Sequence, residues 1–137
     1  MQFQYRHLNR LKYPTHHILV CEDDLTNQHA MVQKLLSMFE PQGTVQISVV
    51  PGGLAAAAII HFCKVDLILL DHDMPEGNGA DLLGWMKEEN KKIPVITFSG
   101  ILENNIIMMG LGATHQFMKG DVLTGAADEL IKGYLNG

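Results

Sequence analysis

Between Val65 and Asp73 the chain runs Val-Asp-Leu-Ile-Leu-Leu-Asp-His-Asp. Five apolar residues in the six positions from Val65 to Leu70 read as a strand buried on both faces, of the kind found in the middle of a parallel sheet. The run stops at Asp71, and Met74-Pro75 and Gly77-Asn78-Gly79 follow. A carboxylate at the carboxyl end of a central strand stands where open α/β sheets keep their ligands. Pro75 and the glycines hold a loop and delay the next helix. An Asp before a turn is also ordinary turn chemistry, so this stretch alone leaves Asp71 open to a structural reading.

The rest of the chain repeats the pattern. Ile18–Cys21 is a second buried run, followed at once by Glu22-Asp23-Asp24. Three neighbouring acids repel one another, so a cation is expected to compensate them; alternatively Asp24 caps the next helix and leaves two acids to explain. A helix is predicted over Thr26–Phe39, with Met31, Val32, Leu35, Leu36 and Phe39 at helical spacing and Pro41 and Gly43 as its stop. Val45, Ile47 and Val49 alternate with Gln46 and Ser48, as in a shorter, edge-like strand. Pro51-Gly52-Gly53 turns into an Ala-rich helix over Leu54–Cys63. After the central strand come a helix over Ala80–Glu89 and a strand over Ile93–Phe98 ended by Ser99-Gly100. An Ile- and Met-rich helix over Ile101–Leu111, a weaker strand over Thr114–Met118 ended by Lys119, and one last helix over about Leu123–Leu135 complete the chain. Five strands alternating with five helices mean βαβ units with right-handed crossovers, hence a doubly wound five-stranded parallel sheet of the α/β class.

At 137 residues one domain is expected, occupying 17–137 after a basic, aromatic extension over 1–16. That extension reads as a loose tail or as a docking arm for an acidic partner. A net charge of −5 offers no basic face for nucleic acid. No apolar run is long enough to span a membrane, and the N-terminus lacks a signal-peptide core, so a cytoplasmic location is expected. Cys21 and Cys63 are too few for a disulfide framework and are expected to be reduced.

In a doubly wound parallel sheet every strand ends at the same edge. The first strand delivers Glu22 and Asp23 there, the third Asp71 and Asp73, the fourth Ser99 and the fifth Lys119. This set suits phosphoryl chemistry. Magnesium prefers hard oxygen ligands, and a metal and an ammonium group would neutralise charge on a phosphoryl group. A positioned aspartate oxygen can act as the nucleophile, with a hydroxyl bonding one phosphoryl oxygen.

At these residues the chain resembles the receiver domains of two-component response regulators. The resemblance rests on Ile18-Leu19-Val20-Cys21-Glu22-Asp23-Asp24, on Leu69-Leu70-Asp71-His72-Asp73-Met74-Pro75 with Gly79, on Pro94–Gly100, and on Gly112-Ala113 with Lys119. Glu22–Gln28 further resembles receivers attached to hybrid histidine kinases. The match runs from about His17 to the C-terminus. It implies a flavodoxin-like (βα)5 fold with strand order 2-1-3-4-5 and Asp71 as phosphoacceptor. Mg2+, or Mn2+, would be held by Glu22, Asp23, Asp71 and the backbone carbonyl of Asp73. Ser99 and Lys119 would contact the phosphoryl group. It also implies a histidine kinase or histidine phosphotransfer protein as donor, and a downstream protein target met by the fourth helix, fifth strand and fifth helix. On this reading the chain is a stand-alone receiver, a phosphoacceptor rather than a turnover enzyme.

Three departures bear on output. Gly120 follows Lys119 where the family has proline with a cis bond, so a trans bond and a reshaped loop are expected, since cis before a non-proline residue costs about 3 kcal/mol. Gln116 stands at the position of the family's aromatic switch, which together with Ser99 forms the switch pair, and Phe117 is expected to face the other side. The segment from Ser99 to Gly112 is short, so a displaced fourth helix is expected. Two alternatives follow: a degenerate receiver that docks without phosphorylation, and an aspartyl-phosphate phosphatase suggested by Asp71-His72-Asp73.

Overall fold

The computed structural model describes residues 16–39 and 45–136; most of the expected extension and the Pro41/Gly43 helix stop lie outside them. The elements are β1 (His16–Cys21), α1 (Leu25–Phe39), β2 (Val45–Val50), α2 (Gly53–Phe62), β3 (Leu67–Leu70), α3 (Gly79–Glu88), β4 (Val95–Ser99), α4 (Leu102–Gly110), β5 (His115–Met118), α5 (Lys119–Thr124) and α6 (Asp128–Asn136). The five strands form one parallel sheet in the order β2-β1-β3-β4-β5, as the resemblance implies.

The alternation of side chains along each strand divides the core into two layers. Ile18, Val20, Leu67, Leu69, Ile96 and Phe98 face one side, where Met31, Leu35, Val122 and Ile131 pack on them from α1, α5 and α6. Leu19, Cys21, Ile68 and Leu70 face the other, against Ala56, Ile60, Leu82, Met86 and Met108 from α2, α3 and α4. Every residue of β3 is fully buried, which is why the run 67–70 shows no polar alternation. Burying each such side chain contributes about 1.5–3 kcal/mol, so this strand fixes the register of the rest.

Two expectations are corrected. The last helix is not continuous over Leu123–Leu135. A short α5 starts directly after β5, Gly125 ends it at φ 107°, and α6 begins at Asp128. Glycine reaches that left-handed conformation without a Cβ clash, the usual way a helix is closed. β2 lies at the sheet edge as expected, but with 6 residues it is not a shorter strand, and all of it but Gln46, Ser48 included, is buried, because α1 and α2 cover it. Among the described residues no peptide bond is cis, and no helix is long and apolar enough to cross a membrane.

The loop after β3 is locked by backbone bonds. Glu76 takes φ 54° and Gly77 φ 101°, which turns their carbonyls into the start of α2. Gly53 N–H donates to Gly77 O at 2.7 Å and Leu54 N–H to Glu76 O at 2.9 Å, filling two donors that a helix N-terminus leaves open. Asn78 and Asp81 then form a reciprocal capping box that starts α3.

Candidate acidic phosphoryl and metal site

Two backbone bonds carry the ladder one step past the strands. Glu22 N–H donates to Val50 O and Asp71 N–H to Cys21 O, each at 3.0 Å. They place Glu22 and Asp71 side by side at the carboxyl edge. The carboxylate oxygens of Glu22, Asp23 and Asp71 lie within 4.8 Å of one another. Glu22 is fully buried, Asp71 nearly so, and Asp23 is exposed. Asp24 stands apart from the three: its Oδ2 accepts from Asn27 N–H at 2.9 Å and caps α1. Gln28 Nε2 donates to the Glu22 carbonyl at 2.6 Å and ties the acidic turn to α1.

Lys119 enters this cluster from the start of α5. Its Nζ donates to Asp71 Oδ2 at 3.0 Å and stands 3.1 Å from Glu22 Oε1 as an ion pair. Asp71 Oδ1 accepts from His72 N–H at 2.8 Å. Glu22 Oε2 accepts from Asp24 N–H at 3.2 Å, whereas the buried Oε1 accepts no hydrogen bond among the described residues. Burial, with the Asp71 charge beside it, pushes the Glu22 carboxyl up to about 7 against the Asp24 amide and Lys119. Burial pulls Lys119 down, but the hydrogen bond and charge of Asp71 and the charge of Glu22 outweigh it and hold its pKa above the ordinary lysine value. Burial pushes the Cys21 thiol up, with the Asp71 charge adding to it, so Cys21 is an inert core thiol.

Ser99 is fully buried at the end of β4, and its Oγ accepts from Ile101 N–H at 3.1 Å. The Asp73 carboxylate does not join the cluster. Its side chain is 64% exposed and its Oδ1 lies 3.0 Å from His72 Nδ1 and 3.4 Å from Asn104 Nδ2. Gln116 is exposed, and Phe117 packs into the opposite core layer as expected. The reading from sequence missed Asn105, which is buried on α4 and donates from Nδ2 to Phe117 O at 2.9 Å. Its signal was present: an amide three residues before the buried Met108 shares that residue's helix face.

The cluster fits a divalent cation. Its donors are hard carboxylate oxygens on two buried residues and one exposed residue, lying within 4.8 Å of one another, and Mg2+ and Mn2+ favour such ligands. A cavity of about 560 Å³ lies elsewhere, lined by Met86, Lys91, Ile93 and Leu111 among others and by none of the acids.

Comparison with known proteins agrees with this geometry. Residues 18–127 match the family model described as the response regulator receiver domain. The chain is 33% identical over 94 residues to a protein-glutamate methylesterase/protein-glutamine glutaminase of Trichodesmium erythraeum, covering 69% of this chain and 26% of that protein. The chain thus spans about a quarter of that relative's length. A Francisella response regulator receiver domain superposes with a TM-score of 0.68 at 27% identity, over 86% of this chain and 95% of that one. The Mn2+-bound form of response regulator Rcp1 shares the fold at a TM-score of 0.69 and 22% identity, over 88% and 94%. With a match over most of its length, this chain belongs to the response regulator receiver domain family.

Proposed function

We propose that Asp71 accepts a phosphoryl group from a phosphohistidine of a histidine kinase or histidine phosphotransfer protein, and that the domain signals through protein contacts. Receiver domains act as phosphoacceptors rather than as turnover enzymes, and their general partners are such kinases and phosphotransfer proteins. The observation that carries the assignment to Asp71 is its position: a buried carboxylate whose Oδ2 is held 3.0 Å from Lys119 Nζ, inside an acid cluster with Glu22 and Asp23.

In this reading an Asp71 oxygen attacks phosphorus. The P–O bond forms as the P–N bond breaks, and the imidazole nitrogen leaves with the electron pair and takes a proton. Lys119, already on Asp71, neutralises charge on the phosphoryl oxygens, and Ser99 Oγ donates to one of them. Glu22, Asp23, Asp71 and the Asp73 backbone carbonyl would hold Mg2+, or Mn2+ as in the manganese-bound relative. A bound divalent ion supplies further charge neutralisation at the phosphoryl oxygens. We assign the downstream contact to the face of α4, β5 and the helical segment after it, where Leu102, Ile106 and Met118 are exposed.

Acetyl phosphate with Mg2+, followed by intact-mass measurement, tests the assignment. One phosphoryl mass gained by the native chain and lost in Asp71→Asn is expected; no gain in the native chain would overturn it. A docking module that works without phosphorylation is favoured by one observation, the exposed Gln116 in place of a switch ring. Absence of any mass gain, with Mg2+ bound, would select that reading.

A further inference from the structure

We propose that Asn105 couples the phosphoryl site to the output face in this chain, by holding α4 on the β5 backbone at rest. The proposal rests on the reading of Asp71 as phosphoacceptor and adds to it a residue on another element. α4 is tied to the rest of the domain at both ends of the signalling path. At its start, Ser99 Oγ accepts from Ile101 N–H at 3.1 Å, and the helix has no side-chain N-cap. Toward Asp71, Met108 is fully buried and so close to Gly79 that a Cβ there would stand 2.6 Å from its Sδ and 2.9 Å from the Asp71 carbonyl oxygen. Toward β5, Asn105 Nδ2 donates to Phe117 O at 2.9 Å and approaches Met118 Sδ at 3.9 Å.

Asn105 is 1% exposed, yet among the described residues its Oδ1 has no hydrogen-bond partner. A buried acceptor left unpaired disfavours the arrangement that contains it. The resting position of α4 therefore makes one amide bond and forgoes another, which is the balance a two-state element needs. When Ser99 Oγ turns to a phosphoryl oxygen on Asp71, Ile101 N–H loses its acceptor and the first turn of α4 loses its tie. The Asn105–Phe117 bond, offset by the unpaired Oδ1 beside it, does not hold the helix on β5 without that tie. Its release shifts Leu102 and Ile106, which are about half exposed on the same helix. Gln116, exposed on β5, takes no part; the amide on α4 stands in for a ring on the strand.

Backbone amide exchange of the full chain tests this, read over Leu102–Gly110 with and without Mg2+ and beryllium fluoride, which mimics a phosphoryl group on a carboxylate. In the native chain the adduct should speed α4 exchange about tenfold or more. Asn105→Ala should reach the faster rate with no adduct present and change less than about twofold when it forms. Amides of β1 and β3 should stay protected throughout. Native protection of α4 in metal-free Asn105→Ala would overturn the proposal. Should that variant lose β1 protection, Asn105→Ser is read by the same two criteria. Failure of beryllium fluoride to bind the native chain, seen by fluorine NMR, counts against Asp71 as phosphoacceptor, while the metal-free comparison still decides the role of Asn105.

Discussion

Lys119 Nζ and Asp71 Oδ2, 48 residues apart in the chain, meet at 3.0 Å. Lys119 is the first residue of α5 rather than the tail of a long strand, so a helix start aims the ammonium back over the strand edge. It also faces Glu22 Oε1 at 3.1 Å. One cation thus serves two buried carboxyl groups, and the metal-free domain depends on it.

Replacing that cation exposes the dependence. Lys119→Met leaves Glu22 and Asp71 facing each other without compensation and should destabilise the metal-free protein by about 1–3 kcal/mol, below the usual cost of breaking a fully buried pair because Lys119 is partly exposed. Mg2+ should raise the melting temperature of the variant more than that of the native chain. Thermal unfolding with and without Mg2+ measures both, and equal melting temperatures would contradict the prediction.

Glu22 gives the domain a pH response of definite sign. Folded, its carboxyl titrates at about 7 instead of 4.5, so between those values the folded state binds more protons than the unfolded one. Stability of the metal-free protein from this group therefore falls as pH rises from 4.5 to 7. A cation binds the ionised form and expels the proton, so Mg2+ affinity should rise about tenfold from pH 6 to pH 8. Calorimetric titration at the two pH values checks this; equal affinities would exclude Glu22 as the titrating ligand.

The lock between α2 and the loop after β3 should be intolerant of bulk. A Cβ at Gly52 would run into the Pro75 carbonyl oxygen, a backbone atom that cannot turn aside. Gly52→Ala should cost about 1–3 kcal/mol and weaken Mg2+ binding by displacing the loop that carries Asp73. Urea unfolding and a metal titration read the two effects, and native stability in the variant would show that the loop gives way freely.

Asp73 should set the lifetime of the phosphorylated state. Its carboxylate is exposed, held by His72 and Asn104, and free of the metal cluster, so it can accept a proton from a water attacking the phosphoryl group. Asp73→Asn should lengthen the decay by about threefold or more, a modest share of what general bases contribute. Decay of the labelled protein, followed in native and variant chains, decides the matter, with equal rates ending the idea.

Much of this architecture was legible because local periodicity carries it. The unbroken run 67–70 is apolar since both faces of β3 are covered, and the acids, Ser99 and Lys119 stand at strand ends because parallel strands finish on one edge. Asp24 as a cap was legible for the same local reason. The helix break at Gly125 was written in the sequence as a glycine, but Leu123, Leu130 and Ile131 kept helical spacing across it and masked the stop.

What the chain determined by itself was the class of fold, the edge where the chemistry gathers and the identity of the residues delivered there. Only the tertiary structure decided that Asp73 turns out to His72 and Asn104 while Glu22 turns in, that Lys119 bridges two carboxyl groups, and that Asn105 of α4 is buried against β5 with one oxygen unpaired among the described residues. The physical reason is range. Strand and helix periods are set by neighbours a few residues apart, whereas the partner of a buried charge or amide is chosen by packing between elements tens of residues apart.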